Sequence, residues 1–250
     1  MIDKTRFYTA TVGKDSRRII TEYKTGIEID NFCQSVLLDD KSEVDKAREI
    51  LQLSDRHILH GPFTELHPAA IDPKARSLAL GRLEQAYEVC SQLKIRRMVV
   101  HSGYVPFVFF KVWQNERSVE FWHEFMSEKP EDFNIFIENV LEDEPYMMRE
   151  MMENITDKRV HICLDTGHAN VAGKLPIKEW FEVLGEYIGH IHLHNNSGKS
   201  DEHNSPDKGS MDMDKVMEYI DLYCGSNTTI TVEAYELEDS FKWLAERNYI

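Results

Sequence analysis

Val160-His161-Ile162-Cys163-Leu164-Asp165-Thr166-Gly167-His168 is a short apolar run that ends on a carboxylate and, three residues later, an imidazole. A β-rich run that stops on a metal-type side chain recurs at five other places, so the six ends carry His60, His101, Glu138, Asp165, His192 and Glu233. Oxygen and imidazole donors suit a hard or borderline divalent ion, and converging strand ends are how a barrel gathers residues that are distant in sequence. The pattern predicts a metalloenzyme.

Working outward from that stretch, β-rich runs alternate with amphipathic ones along the whole chain, with no linker, low-complexity tract or shift in composition. Strands are expected over 6–12, 26–29, 57–60, 97–101, 134–138, 160–165, 188–194 and 229–233. Helices are expected over 16–23, 43–53, 73–93, 119–126, 145–153, 176–184, 212–223 and 237–247. Pro73, Pro145 and Pro176 fall near helix starts, where a missing N–H costs least. Eight strand–helix alternations imply a parallel sheet, and 250 residues suit a single (β/α)8 TIM barrel spanning 1–250.

Strand periodicity selects the closed form. In Thr229-Ile230-Thr231-Val232-Glu233 polar and apolar residues alternate, and His190, His192 and His194 share one face opposite Ile191 and Leu193. Asn134, Phe136 and Glu138 likewise share a face, as do His161, Cys163 and Asp165. A barrel accounts for this: aliphatic residues point out to the helices and inward ones end in a polar site at the C-terminal mouth. An open doubly wound sheet buries both faces and favours continuous apolar runs.

Hydrophobic residues make up 42% of the chain, enough for a large core, and no apolar stretch approaches the roughly 20 residues of a membrane span. The start, Met1-Ile2-Asp3-Lys4-Thr5-Arg6, lacks the basic and apolar segments of a secretory signal, which predicts a cytoplasmic protein with no membrane partner. Cys33, Cys90, Cys163 and Cys224 form no Cys-x-x-Cys pair, so reduced thiols are expected in place of a zinc knuckle or redox motif. With 44 acidic against 29 basic residues the formal charge is -15, which disfavours nucleic acid without excluding a local basic groove. Bound divalent ions would cancel several of these charges.

Leu59-His60-Gly61-Pro62-Phe63, Val100-His101-Ser102-Gly103, Ile137-Glu138-Asn139, Cys163-Leu164-Asp165-Thr166-Gly167-His168, Ile191-His192-Leu193 and Asp201-Glu202-His203 form an ordered set. From about Gly26 to Ala234 the chain resembles the xylose isomerase-like barrel superfamily, which includes sugar isomerases, 3-epimerases, sugar phosphate isomerase/epimerase-like proteins and endonuclease IV. Carried over by position, the endonuclease IV pattern implies one metal on His60, His101 and Glu138, with Glu138 bridging to a second held by Asp165, His192 and Glu233. It implies a third on His168, Asp201 and His203. The sugar-acting members typically keep the group at Glu138, Asp165, His192 and Glu233 with one metal or two, so the resemblance implies one to three ions of Zn, Mn, Fe or Co. It also implies a substrate-binding acid near Glu28 or Asp30. Spacing alone leaves His190, His192 and His194 equivalent; the resemblance selects His192.

Some features depart from those patterns. The expected Gly-x-Gly after His203 reads Asp207-Lys208-Gly209, the early Gly-x-His of endonuclease IV is missing from Phe7-Tyr8-Thr9-Ala10, and Glu138-Asn139 leads into Val140-Leu141-Glu142-Asp143 with no glycine-rich loop. These bear on DNA binding more than on metal binding.

Two chemistries fit the implied site. In one, the metal stabilises the enediolate of a small carbohydrate while Glu138 and Glu233 move a proton on and off the carbon beside the carbonyl, as in a sugar or sugar-phosphate isomerase or epimerase. In the other, two or three zinc ions activate water against a phosphodiester such as abasic DNA. A third reading is a catalytically idle sugar-binding barrel, against which the intact acid pair speaks. The aromatic run 104–113 is expected to form a loop that either lids the mouth, with Tyr104 and Trp113 meeting substrate, or packs on the core or a neighbouring subunit.

Overall fold

The computed structural model describes residues 2–250. Eight parallel strands close into a barrel in sequential order: β1 (Phe7–Ala10), β2 (Gly26–Ile29), β3 (His57–His60), β4 (Arg97–His101), β5 (Asn134–Glu138), β6 (Val160–Asp165), β7 (Ile188–Leu193) and β8 (Thr229–Val232), with β8 paired to β1. The helices are α1 (Ser16–Tyr23), α2 (Lys41–Leu51), α3 (Pro73–Leu93), α4 (Lys111–Met126), α5 (Tyr146–Asn154), α6 (Thr166–Ala172), α7 (Ile177–Leu184), α8 (Met213–Tyr223) and α9 (Leu237–Glu246). Asp40, Asp72 and Asp212 cap α2, α3 and α8 by accepting backbone N–H bonds, and Pro73 opens α3.

The alternation along each strand divides the core in two. Outward residues such as Ile27, Leu59, Val100, Ile137, Leu164, Ile191 and Val232 pack against the helices in one continuous apolar shell. Inside the barrel lies a small layer of Tyr8, Ile58, Val99, Phe136 and Cys163. The inward residues two positions further along β3 to β6 are His60, His101, Glu138 and Asp165, so the apolar layer floors a polar mouth. Between β6 and β7 the register slips: Ile162 pairs with Ile188 and Cys163 with His190, leaving Gly189 as the extra residue. A Cβ there would lie 2.8 Å from the Phe136 ring, so glycine admits the bulge that aims His190 and His192 inward.

Three differences from the sequence reading have physical causes. Helix α4 begins eight residues earlier than expected, at Lys111, because the face that its first turns bury is polar: Gln114, Asn115 and Ser118 are buried, so apolar periodicity is silent there. Trp113 therefore sits on a helix and not in a loop. Helix α6 was not foreseen; its seven residues, Thr-Gly-His-Ala-Asn-Val-Ala, include glycine and two β-branched residues, and it is nucleated by its cap, Asp165. Strands β1, β7 and β8 are also shorter than expected, and His194 and Glu233 stand just past the ends of β7 and β8. The four cysteines are free. Among the described residues no helix is long and apolar enough to cross a membrane.

Candidate metal centre

Register builds the inner part of the site. On β4 and β5 His101 pairs with Glu138, and on β6 and β7 Asp165 pairs with His192, so four donors rise side by side. The two oxygens of Glu138 face different partners. Its Oε2 lies 3.2 Å from His60 Nε2 and 3.3 Å from His101 Nε2, while its Oε1 lies 3.4 Å from His192 Nδ1. His192 Nδ1 is also 3.1 Å from Glu233 Oε2 and 3.7 Å from Asp165 Oδ2. One carboxylate therefore stands between two groups of donors.

Whether these residues fit a divalent ion can be judged from their hydrogen bonds. His60 gives Nδ1–H to the carbonyl of Gly61 at 3.0 Å, which leaves Nε2 for the cluster. His192 Nδ1 and Glu233 Oε2 are buried, face each other and have no hydrogen-bond partner. Buried polar atoms rarely stay unpaired, and facing lone pairs are satisfied by a shared cation. The donor set of imidazoles and carboxylates suits zinc, manganese, iron or cobalt.

An outer group lies beside the inner one. Asp201 Oδ2 is 3.2 Å from His168 Nε2 and 2.9 Å from His203 Nε2. Each ring is held by its other nitrogen: His168 Nδ1 donates to the Asn139 carbonyl at 2.9 Å and His203 Nδ1 to the Glu233 carbonyl at 2.8 Å. The two sets His60–His101–Glu138 and His168–Asp201–His203 each bring three ligand atoms within 4.8 Å of one another. His203 adopts a left-handed backbone with φ 48°, a conformation of modest cost that an imidazole tolerates better than most side chains.

The Asp-Thr-Gly-His motif joins the groups. Asp165 Oδ1 accepts the backbone N–H of His168 at 2.6 Å, so the same carboxylate that faces His192 caps the helix carrying His168. His194, whose role spacing left open, places Nε2 3.1 Å from both Asp165 oxygens and stacks on His203 with ring centroids 4.1 Å apart. It thus bridges inner acid and outer imidazole. Gly167 is required by that ring, because a Cβ would lie 1.9 Å from His194 Cε1.

Charge is balanced within the cluster. Burial alone would raise the carboxyls of Glu138 and Asp165, but the neighbouring histidines outweigh it and hold both well below the usual carboxylate range. Burial would likewise lower His192 and His168, yet Cys163 and three glutamates around His192, and Asp165 with Asp201 and Glu138 around His168, hold both well above an ordinary imidazole. His203, also desolvated, is raised to about 9, chiefly by Asp201. In this state protons on the rings neutralise the acids, and a bound cation would take over that task and release them.

The residues expected at substrate lie in unlike surroundings. Glu28 is only 1% exposed, with Oε1 2.9 Å from His192 Nε2 and Oε2 3.0 Å from His190 Nε2, so it sits beneath the donors and not on their open side. Asp30, nearer the mouth, accepts from Thr11 and from the Val12 N–H. Tyr104 is 6% exposed, whereas Trp113 is 50% exposed and packs edge-on against Phe110. The departure at Asp207 leaves its backbone outside the left-handed region; Ser205 donates to its carboxylate at 2.6 Å. Gly209 beside it is needed because a Cβ would lie 2.1 Å from Asn195 Oδ1.

A closed parallel barrel with carboxylates and imidazoles gathered at the C-terminal ends of its strands defines a (β/α)8 barrel with a metal-type mouth. The chain belongs to the xylose isomerase-like TIM barrel family, whose model matches residues 25–247. The uncharacterized protein MJ1311 of Methanocaldococcus jannaschii is 30% identical over 211 residues, covering 77% of this chain and 70% of that protein. Among solved structures, a D-tagatose 3-epimerase-like protein superposes with a TM-score of 0.79 at 23% identity, covering 98% of this chain and 96% of that one. The TTHB071 protein of Thermus thermophilus, soaked with zinc chloride, gives 0.75 at 21% identity over 96% and 97%. Other structures of the same fold carry D-psicose 3-epimerase and AP endonuclease family 2 names.

Proposed function

We propose that this chain is a divalent-metal-dependent isomerase or epimerase of a small carbohydrate. The observation that carries the reading is the approach of Glu138 and Glu233, from opposite parts of the barrel, to one imidazole nitrogen, His192 Nδ1, at 3.4 and 3.1 Å. Carboxylates facing one small space can take a proton from a carbon and return it. Glu233, whose Oε2 has no hydrogen-bond partner in the protein, would lend that oxygen to the cation and receive the proton on its other one. Glu138, clamped by His60 and His101 through its other oxygen, would be the partner acid: it takes a proton from solvent to deliver to the carbon, and Glu233 gives its proton up to solvent to close the cycle. When bound, the cation polarises the substrate carbonyl and offsets the charge that develops on its oxygen. Trp113, half-exposed, offers a ring for stacking on the sugar, whereas Tyr104 is buried and offers little. The epimerase names among neighbours of the same fold support the carbohydrate class.

Glu233→Gln is expected to abolish turnover of the responsive ketose while retaining metal. A ketose panel in deuterated water reads the exchange of substrate hydrogen; near-normal exchange by that variant sinks the assignment. A second reading, a zinc phosphodiesterase like endonuclease IV, is favoured by the assembled His168–Asp201–His203 group and opposed by the acidic balance of the chain. Metal analysis beside an abasic-DNA cleavage assay separates the two: about three zinc ions per chain with DNA cleavage supports the phosphodiesterase.

A further inference from the structure

His190 and His192 lie on the inward face of β7 and His194 just past its end; His192 Nδ1 and His194 Nδ1 are both buried without a hydrogen-bond partner, and His192 Nδ1 is the one that stands 3.1 Å from Glu233 and 3.4 Å from Glu138. His194 spends Nε2 on Asp165. His190 lies a layer deeper, with Nδ1 2.7 Å from Thr229 Oγ1 and Nε2 at Glu28. His192 meets Glu28 through Nε2 and leaves Nδ1 at the point where Glu233, Glu138 and Asp165 converge. Glu28 is what separates them. Its two oxygens face His192 Nε2, His190 Nε2 and the Thr231 hydroxyl. An ionised carboxylate only accepts hydrogen bonds, so in the contact with Glu28 Oε1 it is His192 Nε2 that carries the hydrogen. The lone pair of a neutral His192 is then on Nδ1.

We propose that Glu28 is a positioning residue: it fixes the tautomer and ring angle of His192 so that Nδ1 is the ligand atom, while Thr231 and the His190–Thr229 pair hold Glu28 in place. A carboxylate behind a ligating imidazole also makes it a stronger donor, and losing such a partner commonly lowers metal affinity about 10- to 100-fold. The proposal rests on the metal-centre reading above and replaces the expectation that Glu28 meets substrate.

The test uses the full chain labelled with 15N-histidine, titrated with zinc buffered by a competing chelator and followed at the His192 ring nitrogens. In the wild type the Nδ1 resonance is expected to move on zinc binding while Nε2 keeps its proton. Glu28→Gln, which keeps the volume but not the charge, is expected to lower zinc affinity at that resonance about 10- to 100-fold. Thr231→Val, which removes one support of Glu28, is expected to give a smaller loss in the same direction and serves if Glu28→Gln fails to fold. A wild type whose histidines do not respond to zinc refutes the metal-centre reading itself. A wild type that binds zinc through His192 Nε2, or variants that fold and bind zinc as tightly as the wild type, overturn the role of Glu28 alone.

Discussion

Glu138, Asp165 and His192 stand on three adjacent barrel strands and are at most 1% exposed, whereas the side chains of His168, Asp201 and His203 are 13, 33 and 15% exposed and ride on a short helix and a loop. The inner donors are aimed by sheet register, which the core enforces. The outer ones are aimed by hydrogen bonds to backbone carbonyls at the ends of β5 and β8, those of Asn139 and Glu233. Geometry inherited from a sheet is rigid and legible in a periodic sequence. Geometry borrowed from backbone carbonyls depends on where the short helix and the loop set their imidazoles, which no period in the sequence reports.

The largest expected effect comes from removing the carboxylate that faces both His60–His101 and His192. Glu138→Ala should weaken zinc binding by the inner donors by more than about 100-fold, beyond the usual loss of a mere supporting partner. Chelator-buffered titration with metal analysis checks this, and equal loss from the outer group would show that the two act as one unit. Asp201→Asn should do the converse, lowering outer zinc affinity by at least about tenfold with the inner group unchanged in the same titration. An inner group that also weakens would mean that coupling runs both ways.

A smaller effect is expected at the joint between the groups. Gly167→Ala pushes a methyl into the His194 ring and should cost about 1–3 kcal/mol, lowering Tm by about 2–4 °C per kcal/mol in calorimetry. An unchanged Tm would show that His194 is not wedged between Asp165 and His203. Smallest is the reach of the inner charge to Asp30, whose carboxyl is raised to about 6 by burial and, to a lesser degree, by Glu233. A carboxyl with a raised folded pKa contributes stability at low pH and loses it as pH rises through that value. Asp30→Asn removes that loss, so its unfolding free energy relative to wild type should rise by roughly 1 to 2 kcal/mol between pH 5 and pH 8. Parallel denaturation curves at the two pH values, with no such rise, would show that the Asp30 carboxyl is not raised in the folded protein.

Much of this was readable in advance where a local period carried it. The β-rich runs ending on His60, His101, Glu138 and Asp165 mark strands whose ends coincide with those observed. Where the buried face is polar, as at Gln114, Asn115 and Ser118, the same reasoning missed two turns of helix. Helix α6 is silent for the same kind of reason: Asp165 is both a donor at a strand end and the cap that starts the helix, and the sequence pattern displays only the first. The bridging place of His194 and the left-handed backbone of His203 left no local signal, since both depend on contacts made after the barrel closes.

By itself the sequence determined the barrel, its order and which side chains face inward, because side-chain direction along a strand alternates residue by residue and core burial makes that alternation visible. Only the tertiary structure decided which nitrogen of His192 is left without a protein partner. That choice is made between His192 and Glu28, partners 164 residues apart, by a hydrogen bond that exists only once β2 and β7 face each other across the closed barrel.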